Sequence, residues 1–444
     1  MSDFLRLFAA DFKHLMMSIW SELQHKEKKS FWLHLLFSAF EGILVGGILL
    51  NEFVFLKSMH GKEFQLSGLF VITIAVYILL IFFNEFIRRT ERKRVMLRWV
   101  AIVTRLPLFL FLLFPVEPAA YENTAVWQFA FLGLFLIYYL GVVVIHPTIN
   151  LLLKHNYRDE HMAKLYSWAT TIQKLLALVT AFGLGVILDA DYYAFRFTYP
   201  VMAVAGVLSV YFLSMIPYTP VKKTFKRSFI TAVGDSMKRM GNILVKNRPY
   251  RDFEIGFMLY GFAFMFTVTV ITLYLENELH LSYTSVAFYK NTGNVVLLVM
   301  MPIFGGLLGR LDPRKFAQIS YSFMFLYIFF VALSEFVPIS FHWKQLDIFV
   351  MVFIGFIFFG LFQSAMNLQF NIGSAFFAKS SDDAGDYQAV HLSLVGFRGL
   401  FAPVVGVVLY RWLGYFPTFM ISCGSLLLAI IYMQISYNRF VLKK

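Results

Sequence analysis

NEFIRRTERKR (84–94) and GGLLGRLDPRK (305–315) stand 221 positions apart and read as two copies of one element. At that offset Arg89 meets Arg310, Glu91 meets Asp312, and Lys93 and Arg94 meet Arg314 and Lys315. The same offset brings Asn150 onto Asn371, Tyr166 onto Tyr387 and GVIL (185–188) onto GVVL (406–409). A shared offset makes chance a poor explanation, so the chain reads as two halves. Each copy follows an apolar run long enough to cross a bilayer. Two parallel halves of a membrane protein imply a pseudo-twofold axis along the membrane normal and a ligand site near the midplane between them.

Composition supports the membrane. Of 444 residues 59% are hydrophobic and only 15% charged, with 53 Phe; a soluble domain averages about 25% charged. One soluble core could not hide so much apolar surface. A span needs roughly 20 mostly apolar residues. Twelve candidates lie at about 31–56, 67–87, 98–116, 125–150, 164–188, 196–217, 254–275, 284–308, 316–338, 347–371, 387–410 and 416–437. The predicted fold is an all-α membrane protein of twelve transmembrane helices in two pseudo-twofold-related six-helix bundles, 31–217 and 254–437.

The formal net charge of +13 would suggest nucleic acid in a soluble protein. Here the bases sit in short runs between spans, the pattern that holds cytoplasmic loops against anionic headgroups, and no nucleic-acid partner is expected. RRTERKR (88–94), VKKTFKR (221–227), GRLDPRK (309–315), HKEKKS (25–30) and the 438–444 tail all fall on one side. VEPAAYENTAVW (116–127) and YLENELHLSYTS (274–285), on the other side, have no Lys or Arg. Lys57 and Lys62 in the first outer loop run against the trend. The bias predicts a multi-pass cell-membrane protein, a bacterial inner membrane being compatible, with both termini cytoplasmic. Residues 1–30 place Phe4, Leu5, Phe8, Phe12, Leu15, Ile19 and Leu23 at helical spacing, the pattern of an amphipathic helix on the inner membrane surface. Residues 218–253 form a polar, basic, partly helix-compatible linker. There is no cleavable-signal pattern and no N-x-S/T sequon. The single cysteine, Cys423, excludes disulfides and cysteine metal clusters.

The stretch after the second span, and its copy after the eighth, resembles the signature loop of the major facilitator superfamily, roughly Gly-x-x-x-Asp-Arg-x-Gly-Arg-Arg. The second copy keeps Gly305, Arg310, Arg314 and Lys315, but has Gly309 at the acidic position and Asp312 at the second glycine. The first keeps Arg89 and has Asn84, Arg88 and Glu91 where the pattern has glycine, acid and glycine, with Glu85 as a displaced acid. In that family the loop makes inter-domain contacts that stabilise one end of a rocking cycle, which assigns Arg89, Arg310, Asp312 and Arg314 to a conformational loop. DYQAVHLSLVGFRGLFAPVVGVVLY (386–410) and KNRPYRDFEIGFMLYGFAFMF (246–266) also look like the eleventh span and the start of the seventh. The resemblance implies a secondary transporter whose first, fourth, seventh and tenth spans line a cavity.

Ionisable groups at membrane depth are costly unless they face protein or water, so they point to function. Glu41, mid-way along the first span, is a proton-coupling candidate, the other reading being a carboxylate paired permanently with a cation. His146 and His391 are candidate proton relays. Arg398, Lys174 and Lys290 give the midplane an excess of positive charge suited to an anionic substrate, Arg398 by its planar fork and the lysines as point charges; the other reading pairs one with Glu41 and lets another snorkel to an interface. Gln363 and Asn367 share a face of the tenth span and are substrate-contact candidates. The small-residue spacings of GILVG (42–46) and GGLLG (305–309) predict close helix contacts. There is no P-loop lysine, HExxH or GxSxG, so the expectation is no enzyme, no cofactor and no metal. The expected function is alternating-access transport of a small solute by a monomer, an organic anion with proton or other ion coupling. The alternatives are an exporter of amphipathic drugs or lipids and a non-transporting membrane sensor.

Overall fold

The computed structural model describes residues 23–219, 228–308, 310–378 and 384–442. The amphipathic helix expected over 1–30 falls outside them up to residue 22, as do the basic run 220–227 and Gly309. Residues 25–30 belong instead to the first span. Glu27 is buried there and accepts the backbone N–H of Arg158 at 3.0 Å, which lets the helix start inside a polar stretch.

Among the described residues eleven helices are long and apolar enough to cross a membrane, and a bent pair, taken as one span, makes a twelfth. Span 1 is His25–Ser58, span 2 the pair Glu63–Leu79 and Phe82–Arg89 bent by 52°, and span 3 Lys93–Leu113. Spans 4 to 6 are Val126–Asn156, Lys164–Ala190 and Phe195–Ser214. Spans 7 to 9 are Arg248–Asn277, Tyr283–Leu308 and Pro313–Leu333, and spans 10 to 12 are Val350–Phe370, Asp386–Leu413 and Tyr415–Leu442. Twelve crossings place the first and last described residues on one side, here the terminal side. A small β-hairpin, β1 Ser340–Trp343 and β2 Leu346–Phe349, marks the opposite, hairpin side.

Spans 1 to 6 pack mainly on one another, as do spans 7 to 12. Close approach is built on glycine in both sets. A Cβ on Gly46 would lie 2.5 Å from the carbonyl oxygen of Ala177 in span 5, and Gly42 presses equally close on Gln173 one turn earlier. Gly406 of span 11 meets the Phe266 backbone in span 7 in the same way. The GILVG expectation is thus matched by a contact. GGLLG is a correction, because Gly305 and Gly306 face open space. Outward surfaces are apolar, with Val103, Val179, Val299 and Leu428 all exposed, as lipid-facing helices require.

Local chemistry explains several breaks. Span 3 is α-helical only to Arg105 and then narrows to a 3-10 turn over Leu106–Leu113, where Pro107 lacks the N–H an α-helix would use. Span 11 breaks after Gly399 and restarts at Ala402 with Pro403 in its first turn. The bend in span 2 sits where Gly396 and Gly399 of span 11 press on Ile78 and Ile74. Within the linker a helix forms over Phe229–Lys246, capped by the Ser228 hydroxyl, which accepts the Thr231 N–H at 3.2 Å. It buries Val233 and ties to span 11 through Arg239 and Asp386 at 3.4 Å. The hairpin was not expected from sequence; its backbone seats on span 8, where Tyr289 donates to the Asp347 carbonyl at 3.0 Å.

Gly42→Val should lower the thermal unfolding midpoint of the purified protein, because the added carbons meet backbone that cannot yield. Overpacking of this kind costs about 1–3 kcal/mol, and Gly305→Val, in open space, should leave the midpoint nearly unchanged.

Candidate functional site

The core of spans 1 to 6 holds a buried ion pair. The Arg105 guanidinium, 0% exposed, donates from Nη2 to Glu41 Oε1 at 3.4 Å and lies over the Tyr138 ring at 4.1 Å from its centre. Ser209 donates to the other Glu41 oxygen at 2.6 Å. Gly206 leaves room for the arginine stem on span 6. Arg105 was not singled out in the sequence, and it supplies the cation for Glu41. Arg105 Nε and Nη1 are buried without a partner, so the pair is incompletely satisfied. His146 is exposed on span 4.

Spans 7 and 11 hold a second cluster. His391 Nδ1 meets Glu254 Oε1 at 3.0 Å, both groups being buried, and the ring packs edge-on against Phe257 with centroids 4.4 Å apart. His391 Nε2 has no partner. Two turns on, Arg398 donates from Nη1 to the Phe257 carbonyl at 2.6 Å and stacks on Phe257 and Tyr260. Its guanidinium occupies the space a side chain on Gly261 would need. Arg398 is therefore seated against span 7, inside one set of helices.

The two sets meet at the hairpin side. Lys290 of span 8 pairs with Glu52 of span 1 and donates to the Leu49 carbonyl at 2.7 Å. Lys57 pairs with Glu276 at 3.2 Å, and the Ser58 and Tyr283 hydroxyls meet at 2.6 Å. Asp189, at the end of span 5, accepts the backbone N–H groups of Tyr283 and Thr284 at 2.7 and 2.8 Å, an anion on the first turn of span 8. Arg411 and Glu63 join spans 11 and 2 at 2.6 Å. Nearer mid-depth, Asn291 donates to the Leu178 carbonyl at 3.0 Å.

Lys174 differs from the other interior cations. Gly185 packs against Tyr283 and Thr284 of span 8, and Lys174 lies eleven residues earlier, three helical turns down the same face of span 5. Lys174 is half-buried and has no hydrogen-bond or ion-pair partner among the described residues. Gln363 is half-buried and Asn367 exposed, both in the terminal-side half of span 10. The conformational-loop residues are engaged locally. Arg89 and Arg88 both hold Glu85, at 2.7 and 3.1 Å. Asp312 caps span 9 by accepting the Arg314 N–H at 2.9 Å, and the buried Arg314 side chain returns to Asp312 at 3.2 Å. Arg310 is exposed.

Sequence reasoning brought Glu41, His146, Lys174, Lys290 and Arg398 forward and passed over Arg105, Glu52 and Glu254. An arginine before Pro107 inside an apolar run was the available signal for Arg105. Glu52 and Glu254 sit near the ends of the expected spans, where an acid reads as interfacial. With these acids included, three buried carboxylates face four interior cations, Arg105, Lys174, Lys290 and Arg398.

Residues 175–373 match the sequence model of the Major Facilitator Superfamily. No curated protein matches the chain by sequence. Solved structures share its fold at low identity. A variant of the nucleoside transporter NupG is 15% identical with a TM-score of 0.67, over 92% of this chain and 100% of that one. A POT family transporter in complex with 5-aminolevulinic acid is 12% identical with a TM-score of 0.66, over 92% of this chain and 94% of that one. The chain is thus a multi-helix membrane protein that shares the fold of these transporters, and its residues 175–373 resemble the Major Facilitator Superfamily.

Proposed function

We propose that this protein is a secondary active transporter of a small organic anion, working by alternating access between the two sets of six spans. The observation that carries the substrate class is Lys174, a half-buried cation with no acid partner among the described residues, on the face of span 5 that meets span 8. An unpaired ammonium at membrane depth is costly unless it borders water or a counter-charge, and a transported carboxylate or phosphate provides one. Gln363 and Asn367 contact the polar body of the solute from span 10. Arg398 and Lys290 add positive potential from their seats against span 7 and Glu52. The polar contacts between spans on the hairpin side support a state closed on that side, with solute exchanging from the terminal side. The basic loops support a cytoplasmic terminal side.

The coupling reading centres on Glu41. Its carboxylate is held by Arg105 and Ser209, and His146 is exposed on the adjacent span 4. A proton entering at His146 and passing to Glu41 would release Arg105. That ties protonation to the packing of spans 1, 3, 4 and 6. Breaking such a buried pair by removing one partner costs about 3–5 kcal/mol, whereas replacing both with apolar groups is far milder.

In proteoliposomes, Lys174→Gln should cut uptake of the transported anion at least tenfold, about 1.4 kcal/mol of lost binding, and Lys174→Arg should restore part of it. Full anion uptake by Lys174→Gln, or transport only of lipophilic cations, would remove the anion reading. Glu41→Gln should abolish accumulation driven by a pH gradient while keeping substrate counterflow; accumulation that persists would remove the proton reading. Arg105→Met should destabilise the protein, and Glu41→Leu with Arg105→Met together should recover much of the loss.

A further inference from the structure

The terminal ends of spans 3, 4 and 6 line a cavity of about 230 Å³. Its lining includes Arg92, Lys93, Arg94, Ser214 and Tyr218, with Glu91 as the one acid in that lining. Arg94 in this lining and Arg98 beside it are each anchored through Nε. Arg94 donates to the Ser214 carbonyl and Arg98, one turn on, to the Ser214 hydroxyl, each at 3.3 Å. Arg98 also lies over the Tyr211 ring at 5.1 Å. Among the described residues none of Arg92, Arg94 and Arg98 pairs with a carboxylate, although Arg88 and Arg89 nearby share Glu85. The Nη groups of Arg94 and Arg98 have no protein partner among the described residues. Lys93 is buried behind them and donates to the Thr90 carbonyl at 2.6 Å.

The surface beside this cluster is lipid-facing. Val95, Trp99, Ile102, Val103 and Leu106 are exposed along one side of span 3, beginning next to Arg94 and passing Arg98. Trp99 stands at the depth where an interfacial aromatic belongs. A ligand fitting both halves of this surface carries a phosphate for the arginine forks and apolar chains for the helix face. Pre-anchored guanidiniums with free Nη pairs suit bidentate phosphate contact, and basic pockets between transmembrane helices bind anionic headgroups.

We propose that the cavity at the ends of spans 3, 4 and 6 is a binding site for an anionic phospholipid, with Arg92, Arg94 and Arg98 holding its phosphate and the Val95–Leu106 face of span 3 its acyl chains. Thermal unfolding of delipidated protein titrated with dihexanoyl phosphatidylglycerol, dihexanoyl phosphatidylcholine or inorganic phosphate tests it. The phosphatidylglycerol should raise the midpoint of the wild type, with the other two giving little change. Arg94→Gln with Arg98→Gln should weaken the apparent affinity roughly 30-fold, at about one kcal/mol per base. Arg92→Gln, which removes an exposed side chain with no protein partner, gives a smaller loss with folding intact. Lys238→Gln on the linker helix, an equal loss of charge on the same side, should behave as wild type. Equal stabilisation by phosphatidylcholine, an unaltered response in the arginine variants, or the full rise from inorganic phosphate alone would overturn the phospholipid site.

Discussion

A charge inside hydrocarbon must be paired or must border water, and the cost of doing neither organises this molecule. Glu41 and Arg105 form an ion pair in the core of spans 1 to 6. Glu254 meets His391 between spans 7 and 11, where Arg398 is held against a carbonyl and two rings. Glu52 and Lys290 meet across the boundary between the two sets of helices. The first two clusters stabilise their own sets and can persist while the sets move. The third must break if the hairpin side is to open. The same rule separates pairs inside each set from pairs between the sets, and it marks Lys174 as a cation with no partner among the described residues.

The seam is uneven. Lys57 with Glu276, Lys290 with Glu52, Asp189 on the start of span 8 and Ser58 with Tyr283 lie at the hairpin side, where spans 1 and 5 face spans 7 and 8. Single contacts of this kind are worth little when exposed. Several together, partly withheld from water, join the two sets of helices at this end without a large apolar interface.

Much of the architecture was legible in the sequence, because a bilayer demands long apolar helices and the chain supplies them in two sets. Span ends were less legible where polar partners extend a helix, as Glu27 does for span 1, or where proline and close glycine contacts break one, as in spans 3 and 11. The hairpin was missed because its short strands, SFHW and LDIF, are fixed by span 8 and not by their own pattern. Site residues were legible one at a time, as charges in apolar runs. Their pairings were not, since Glu41 and Arg105 are far apart along the chain and meet only after spans 1, 3 and 6 pack. That is why an excess of positive charge around a lone acid resolves into pairs, with Arg398 held by a carbonyl and two rings and Lys174 left over among the described residues.

The central claim is that the hairpin-side seam opens and closes in every transport cycle. With Cys423→Ser as background, Ser58→Cys and Tyr283→Cys can be bridged by a short bifunctional thiol reagent, because their hydroxyls touch while a tyrosine's reach leaves the backbones too far apart for a direct disulfide. Bridged protein in proteoliposomes should lose substrate counterflow and regain it when the bridge is cleaved, with either single cysteine unaffected by the reagent. Undiminished counterflow through fully bridged protein would contradict alternating access at this seam.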